Sequence, residues 1–291
     1  MTETTTHIID GKAISADVLD RCAARTATLA ASGVVPGLAV VRVGEDPASR
    51  VYVRGKLRAA AKVGIVATEH HLPEDASQDA VEREVQRLAD DDAVDGILVQ
   101  LPLPRHLAEA PVLALVPTDK DVDGFGQESL GALVAGLPGL RACTPAGVMT
   151  LLERHMAATG DTIRGKKALV IGRSRIVGKP MALLLLAADA TVTVAHSRSA
   201  DLAAEVAAAD IVVAAAGVPE LVRGEWLKPG AVVVDVGIHR RDDGSLCGDV
   251  DRASVMGRAA ALTPVPGGVG PMTIATLMEN TVTAAERRRG G

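Results

Sequence analysis

Apolar runs and amphipathic stretches alternate along most of the chain. Leu38 to Val43 is continuously apolar except for Arg42 and stops at Gly44, as a buried strand does. The stretch from Pro47 to about Gly64 predicts a helix, with proline suited to its first turn and glycine to its end. Val66 to Leu72 predicts a second strand, and Ser77 to about Asp91 a charged amphipathic helix. Gly96 to Leu101 is a further buried strand, cut off by Pro102 and Pro104. A passage from Asp119 to Gly139 carries turn residues and predicts loop.

A second series then begins. Strands are predicted at Lys167–Ile171, Thr191–Ala195, Ile211–Ala215 and Val232–Val236, with helices at Gly178–Ala188 and Asp201–Ala209 between them. A last helix is expected from Thr273 to about Arg287. Strands alternating with helices predict an α/β class with parallel sheets covered by helices. With 291 residues the chain exceeds one usual core, so two domains are expected. We place the first at 1–145 and the second at 146–272, with residues 273–291 packing back on the first.

Composition narrows the function classes. Tyr52, Phe125 and Trp226 are the only aromatics, so the cores must be built from Ala, Val, Leu and Ile, which suits covered parallel strands. Net charge is −5, and the only basic cluster is Arg287 to Arg289, which argues against nucleic acid as a partner. Cys22, Cys143 and Cys247 are far apart and odd in number, so neither disulfides nor zinc is indicated. Met1 to His7 have neither an apolar core nor a basic region, and no apolar run reaches the roughly 20 residues of a membrane span. A cytoplasmic protein is expected.

Candidate chemistry lies at the strand ends. Gly172 to Gly178 joins a strand to a helix, where a dinucleotide pyrophosphate meets a helix N-terminus. The spacing is not GxGxxG, since Ser174 stands at the middle glycine, and alone the turn could be an ordinary βα loop. The next strand ends His196-Ser197-Arg198-Ser199, with hydroxyls and a cation where NAD-binding folds place a carboxylate. Arg173 and Arg198 suit a 2′-phosphate, which favours NADP over NAD; a solvated surface role for Arg198 is the plainer alternative.

In the first series, Tyr52 and Lys56 are four apart on one helix face. Such a pair is often only surface, but Gly55 between them is a poor helix residue and suggests close approach of another group. Gln100 ends an apolar strand and needs a partner or a cleft. Asp121 and Asp123 flank one valine, as in a solvated turn, and no third ligand joins them. His70 and His71 are neighbours on a strand and face opposite sides, so no metal site is read.

Together these segments resemble the bifunctional methylenetetrahydrofolate dehydrogenase/methenyltetrahydrofolate cyclohydrolase family, called FolD in bacteria. The likeness runs through GEDPAS at Gly44 to Ser49, Tyr52, Val53 and Lys56, GILVQLPLP at Gly96 to Pro104, and KDVDGF at Lys120 to Phe125. It continues through CTP at Cys143, GRSRIVGKP at Gly172, VDVGI at Val234, GDV at Gly248 and TPVPGGVGPMT at Thr263 to Thr273. The resemblance implies a folate-binding catalytic domain, a Rossmann-like NADP-binding domain and a cleft between them.

It also implies roles. Lys56 matches the catalytic lysine, Tyr52 its partner on the helix, Gln100 the amide that positions the lysine, and Asp123 the carboxylate gripping the pterin. Ser49 and Pro266, Gly267 and Gly268 join Tyr52 and Asp123 as substrate contacts. Gly172, Arg173, Ser174, Ser197, Arg198 and Ile238 match cofactor contacts. The implied activity oxidises 5,10-methylenetetrahydrofolate with NADP+ and hydrolyses the methenyl product to 10-formyltetrahydrofolate, in a homodimer. Tyr52 stacking on the pterin and Tyr52 hydrogen-bonding both stay open. A monofunctional dehydrogenase is the alternative within the family. A shikimate-type or amino-acid-type NADP dehydrogenase also uses a lysine, but requires neither Gln100 nor the PGGVGPMT loop.

Overall fold

A computed structural model describes residues 5–289; residues 1–4, part of the amino-terminal stretch read above, and 290–291 lie outside the described residues. The chain opens with β1 (His7–Ile8) and α1 (Gly11–Ala31), followed by β2 (Gly37–Val43), α2 (Pro47–Lys62), β3 (Val66–Leu72), α3 (Gln78–Ala89) and β4 (Gly96–Val99). After β4 come α4 (Glu109–Ala114) and a single 3-10 turn at Thr118–Lys120, and the passage from Asp119 to Gly139 expected as loop contains α5 (Gln127–Val134). Then come α6 (Cys143–Thr159), β5 (Lys167–Ile171), α7 (Gly178–Ala187), β6 (Thr191–Ala195), α8 (Leu202–Ala208), β7 (Ile211–Ala214) and β8 (Val232–Asp235). A small hairpin of β9 (His239–Arg240) and β10 (Leu246–Cys247), α9 (Arg252–Val255), β11 (Ala261–Leu262) and α10 (Val269–Arg289) complete it.

Two compact units emerge. One comprises residues 16–143 and 274–291, the other residues 1–15 and 144–273. Residues 5–15 belong to the second unit, where β1 pairs in parallel with β11, His7 opposite Ala261.

The first unit is built on a three-stranded parallel sheet, β3-β2-β4. β2 lies in the centre and every residue in it is buried, including Arg42, whose guanidinium pairs with Glu69 at 2.8 Å. Ser77 caps α3, whose buried stripe Val81, Val85 and Leu88 joins Val41 and Ile97 in the core. Asp46 caps α2 by accepting from the Ser49 amide at 2.7 Å, with Pro47 in the first turn as expected. On α2, Ser49, Val53, Lys56 and Ala60 are buried, which is the i, i+4, i+7, i+11 seam of a helix packed on a sheet.

The second unit holds a six-stranded parallel sheet, β1-β11-β8-β7-β5-β6. The chain runs from β5 outward to β6 and then returns to β7 on β5's other side. That reversal makes a switch point at the carboxyl ends of β5 and β7, the place where such sheets bind nucleotides. Leu169, Ile171, Val212, Val233 and Leu262 fill the core on one side of this sheet.

Candidate active site

In the first unit, four of the residues singled out by sequence come from three separate segments. Lys56 projects from the buried seam of α2 and is only 9% exposed. Its Nζ donates to Oε1 of Gln100 at 3.0 Å. Gln100 directly follows β4; its amide extends the ladder to the Val41 carbonyl at 2.8 Å, and its Nε2 donates to the Leu101 carbonyl at 2.7 Å. With both ends of the side-chain amide engaged, its oxygen is turned toward the lysine. An amide in this place holds Lys56 without adding a charge.

Tyr52 lies one turn before Lys56 but is 42% exposed, so the two share a face without sharing an environment. Ser49 is buried a turn further back. Gly55 does not mark a close approach: a Cβ there would meet only Cδ1 of Ile274, at an ordinary 3.4 Å.

Asp121 and Asp123 play different parts. Asp121 is buried and accepts from the amides of Gly124, Phe125 and Gly126 and, at 2.6 Å, from the Ser129 hydroxyl. It is the knot of the loop rather than a solvated turn. Lys120, 2% exposed, anchors the same loop by donating to the carbonyls of Ala89 and Asp91, both at 2.7 Å, and of Leu88 at 3.3 Å. This satisfies the open end of α3 with a cation, as the helix dipole favours. Asp123, two residues beyond Asp121, is partly buried. Burial pushes its carboxyl up to about 6, while the charge of Lys56 pulls it back down and Asp121 adds to the rise.

Two residues that the sequence did not single out support Asp123. Asn280 on α10 donates to the carbonyls of Val122 (2.8 Å) and Arg141 (2.9 Å), tying together the loops on either side. Cys143 donates to the Val122 carbonyl at 3.2 Å, and burial holds its thiol well above the usual range. An amide among the buried residues of α10 is the signal that could have found Asn280.

In the second unit, Gly172 ends β5 with φ +126°, a conformation suited to glycine; a Cβ there would strike the Ala215 carbonyl. Ser174 accepts from the amides of Val177 (3.2 Å) and Gly178 (3.3 Å), closing the turn that leads into α7. Arg173, Ser197 and Arg198 are exposed at the carboxyl ends of the adjacent strands β5 and β6, and Ile238, after β8, is exposed as well. Pro266, Gly267 and Gly268 follow β11 in this same unit, with Gly267 at φ +109°. The rings of His70 and His71 take different partners, Glu84 at 2.8 Å and Glu45 at 3.3 Å.

A family model described as tetrahydrofolate dehydrogenase/cyclohydrolase, catalytic domain, matches residues 9–123, and one described as the NAD(P)-binding domain of the same family matches residues 142–289. The chain belongs to the tetrahydrofolate dehydrogenase/cyclohydrolase family. It is 54% identical over 283 residues to the bifunctional protein FolD of Bordetella avium, covering 97% of this chain and 98% of the relative. With the FolD protein of Anaeromyxobacter dehalogenans the identity is 56% over 282 residues, covering 97% and 99%. Among solved structures, the bifunctional FolD enzyme of Campylobacter jejuni superposes with a TM-score of 0.94 at 44% identity, covering 97% of this chain and 99% of that one. The Trypanosoma brucei FolD enzyme, solved with NADP cofactor and inhibitor, gives 0.91 at 41%, covering 97% and 98%. The two-domain α/β architecture, with an N-terminal catalytic domain and a Rossmann-like dinucleotide domain, is that of this family.

Proposed function

We propose that Lys56, held by Gln100 and facing Asp123, carries the proton transfers of a bifunctional folate enzyme. The protein is an NADP-dependent methylenetetrahydrofolate dehydrogenase and methenyltetrahydrofolate cyclohydrolase of one-carbon metabolism. The single observation that carries the proposed role is the Lys56–Gln100 hydrogen bond at 3.0 Å on a lysine that is 9% exposed. A buried lysine is ordinarily paired with a carboxylate; here it is held by a neutral amide, which leaves it able to give and take protons.

Asp123 accepts hydrogen bonds from the donor edge of the pterin, fixing the one-carbon bridge beside Lys56. Tyr52, exposed on the same helix face, covers the folate. Ser49 supplies a further folate contact. Lys56 then delivers and removes the protons as water adds to the methenyl carbon and the ring opens to the 10-formyl product. Removing that lysine leaves water addition without a proton carrier.

The residues present fit NADP. The Gly172 turn lies at the switch point and has no room for a side chain, and Arg173, Ser197 and Arg198 offer donors with no carboxylate on residues 196–200. Gly172, Arg173, Ser174, Ser197, Arg198 and Ile238 would hold the dinucleotide, with the two guanidiniums on its 2′-phosphate. When bound, NADP+ accepts the hydride from the methylene carbon.

The enzyme works as a cytoplasmic homodimer. Support for the dimer is the outer edge of β6, which has no strand partner among the described residues, with Val194 in β6 at 40% and Leu186 in α7 at 60% exposure. Three buried, unpaired cysteines suit a reducing compartment, and no helix among the described residues is long and apolar enough to cross a membrane.

The test is to follow 5,10-methylenetetrahydrofolate with NADP+ and with NAD+, recording both the reduced nucleotide and the methenyl species. NADP+ reduction followed by methenyl decay faster than the spontaneous rate is expected. Reduction without accelerated decay would remove the proton-transfer role from Lys56, and no reduction with either nucleotide would remove the folate reading.

A further inference from the structure

The carboxyl edge of the six-stranded sheet contains a fully buried carboxylate that no role above uses. Asp249, two residues beyond β10, has no solvent exposure. Its Oδ2 accepts from two consecutive amides, Ala216 at 2.6 Å and Gly217 at 2.8 Å, and its Oδ1 lies 2.7 Å from Nε2 of His239. The amide of Asp249 donates in turn to Asp235 at the end of β8, at 2.9 Å.

These bonds join segments that are otherwise separate. Ala216 and Gly217 form the loop leaving β7, and Gly217 has φ +69°. Two consecutive amides converging on one oxygen form a nest of the kind that usually receives a ligand's anion. Here the protein supplies the anion, so the loop serves as a wall rather than as a phosphate cradle. Gly172 packs against that wall, since a Cβ on it would strike the Ala215 carbonyl. On the other arm, His239 directly follows Ile238. One side chain therefore fixes both the backing of the Gly172 turn and the segment that presents Ile238.

We propose that Asp249 is a positioning residue for dinucleotide binding, holding the Ala215–Gly217 loop and the Ile238–His239 segment in the geometry that receives the cofactor. The proposal rests on the cofactor reading above. What matters is the arrangement of hydrogen bonds, not the charge. An asparagine at 249 can still accept from both amides through its oxygen, and its NH2 can donate to Nε2 of His239 in the other tautomer.

Three variants test it, with NADPH binding followed by the change in reduced-nicotinamide fluorescence. Asp249→Ala is expected to weaken NADPH binding about tenfold or more, and His239→Phe, which cuts one arm only, about threefold. Asp249→Asn is expected to stay within about twofold of wild type. Hydrolysis of methenyltetrahydrofolate without nucleotide reports on the Lys56 site of the other unit and should be unchanged in all three. Should Asp249→Ala fail to fold, His239→Phe and Asp249→Asn carry the test. Wild-type affinity in Asp249→Ala or in His239→Phe, or a loss in Asp249→Asn as large as in Asp249→Ala, overturns the proposal. Absence of NADPH binding by the wild type overturns the cofactor reading, and this proposal with it.

Discussion

Asp123→Asn should make the protein more stable and less active, and the gain should depend on pH. The Asp123 carboxyl is pushed from an ordinary 3.8 up to about 6, chiefly by burial and against the pull of Lys56. A raised folded-state value means that the folded chain holds this proton more tightly than the unfolded chain. The stabilising contribution of the proton is complete below about 4, falls as the pH rises, and is lost above about 6. A shift of about two units corresponds to up to about 3 kcal/mol set against the fold at pH 7.5. Asparagine has nearly the same shape and no proton to lose. Relative to wild type it should therefore gain about 1 kcal/mol at pH 4.5 and up to about 3 kcal/mol at pH 7.5. At about 2–4 °C per kcal/mol, the melting temperature at pH 7.5 should rise by several degrees.

The assay is thermal or urea unfolding of both proteins at the two pH values, with NADPH affinity and folate turnover measured in parallel. Asp235, raised to about 6 as well, titrates in both proteins and cancels in the difference. Folate KM should rise at least about tenfold as the carboxylate acceptor is lost, with NADPH affinity unchanged. A variant less stable than wild type at pH 7.5, or a difference independent of pH, would refute the assignment of a costly, partly buried carboxylate.

Gln100→Glu places a carboxylate where the amide oxygen now lies 3.0 Å from Lys56, favouring the charged amine; methenyl hydrolysis should fall at least about tenfold without unfolding. Arg198→Ala should raise KM for NADP+ about tenfold and leave NAD+ turnover unchanged, as measured in parallel initial-rate assays. Lys120→Met leaves the carbonyls of Leu88, Ala89 and Asp91 without their cation, so denaturant unfolding should show a loss of about 3 kcal/mol.

The inner strands β2, β4, β5, β7 and β8 were legible because covered parallel strands are largely apolar, and the edge strands β3 and β6 run between the residues expected, whereas β1 and β11, two residues each, were not read. Several helices were not, and the reason lies in their seams. The buried face of α1 includes Ser15, Val18, Cys22, Thr26 and Leu29, so polar and small members blunt its period. α6 begins Cys143-Thr144-Pro145 and is buried through Gly147, Val148, Leu151, Leu152 and His155, so no single stripe stands out. α10 starts at Val269 rather than Thr273. Pro271 reads as a loop residue, yet in a first turn its missing amide has no helical partner to lose.

At the site, Lys56 and Gln100 could be read from their positions on a helix and at a strand end. Which aspartate of the Asp121–Asp123 pair organises the loop could not, because that depends on amides and a hydroxyl gathered by folding. Asn280 and Asp249 were missed for the same reason, their partners being 139 to 158 and 10 to 33 residues away.

The most direct measurement is the decay of methenyltetrahydrofolate with Lys56→Met, beside NADPH binding by the same variant. Enzyme-dependent decay should fall to the spontaneous rate while NADPH affinity stays within about twofold of wild type. Hydrolysis near the wild-type rate would contradict the proton-transfer role of Lys56, and lost NADPH binding would contradict the separation of the two sites.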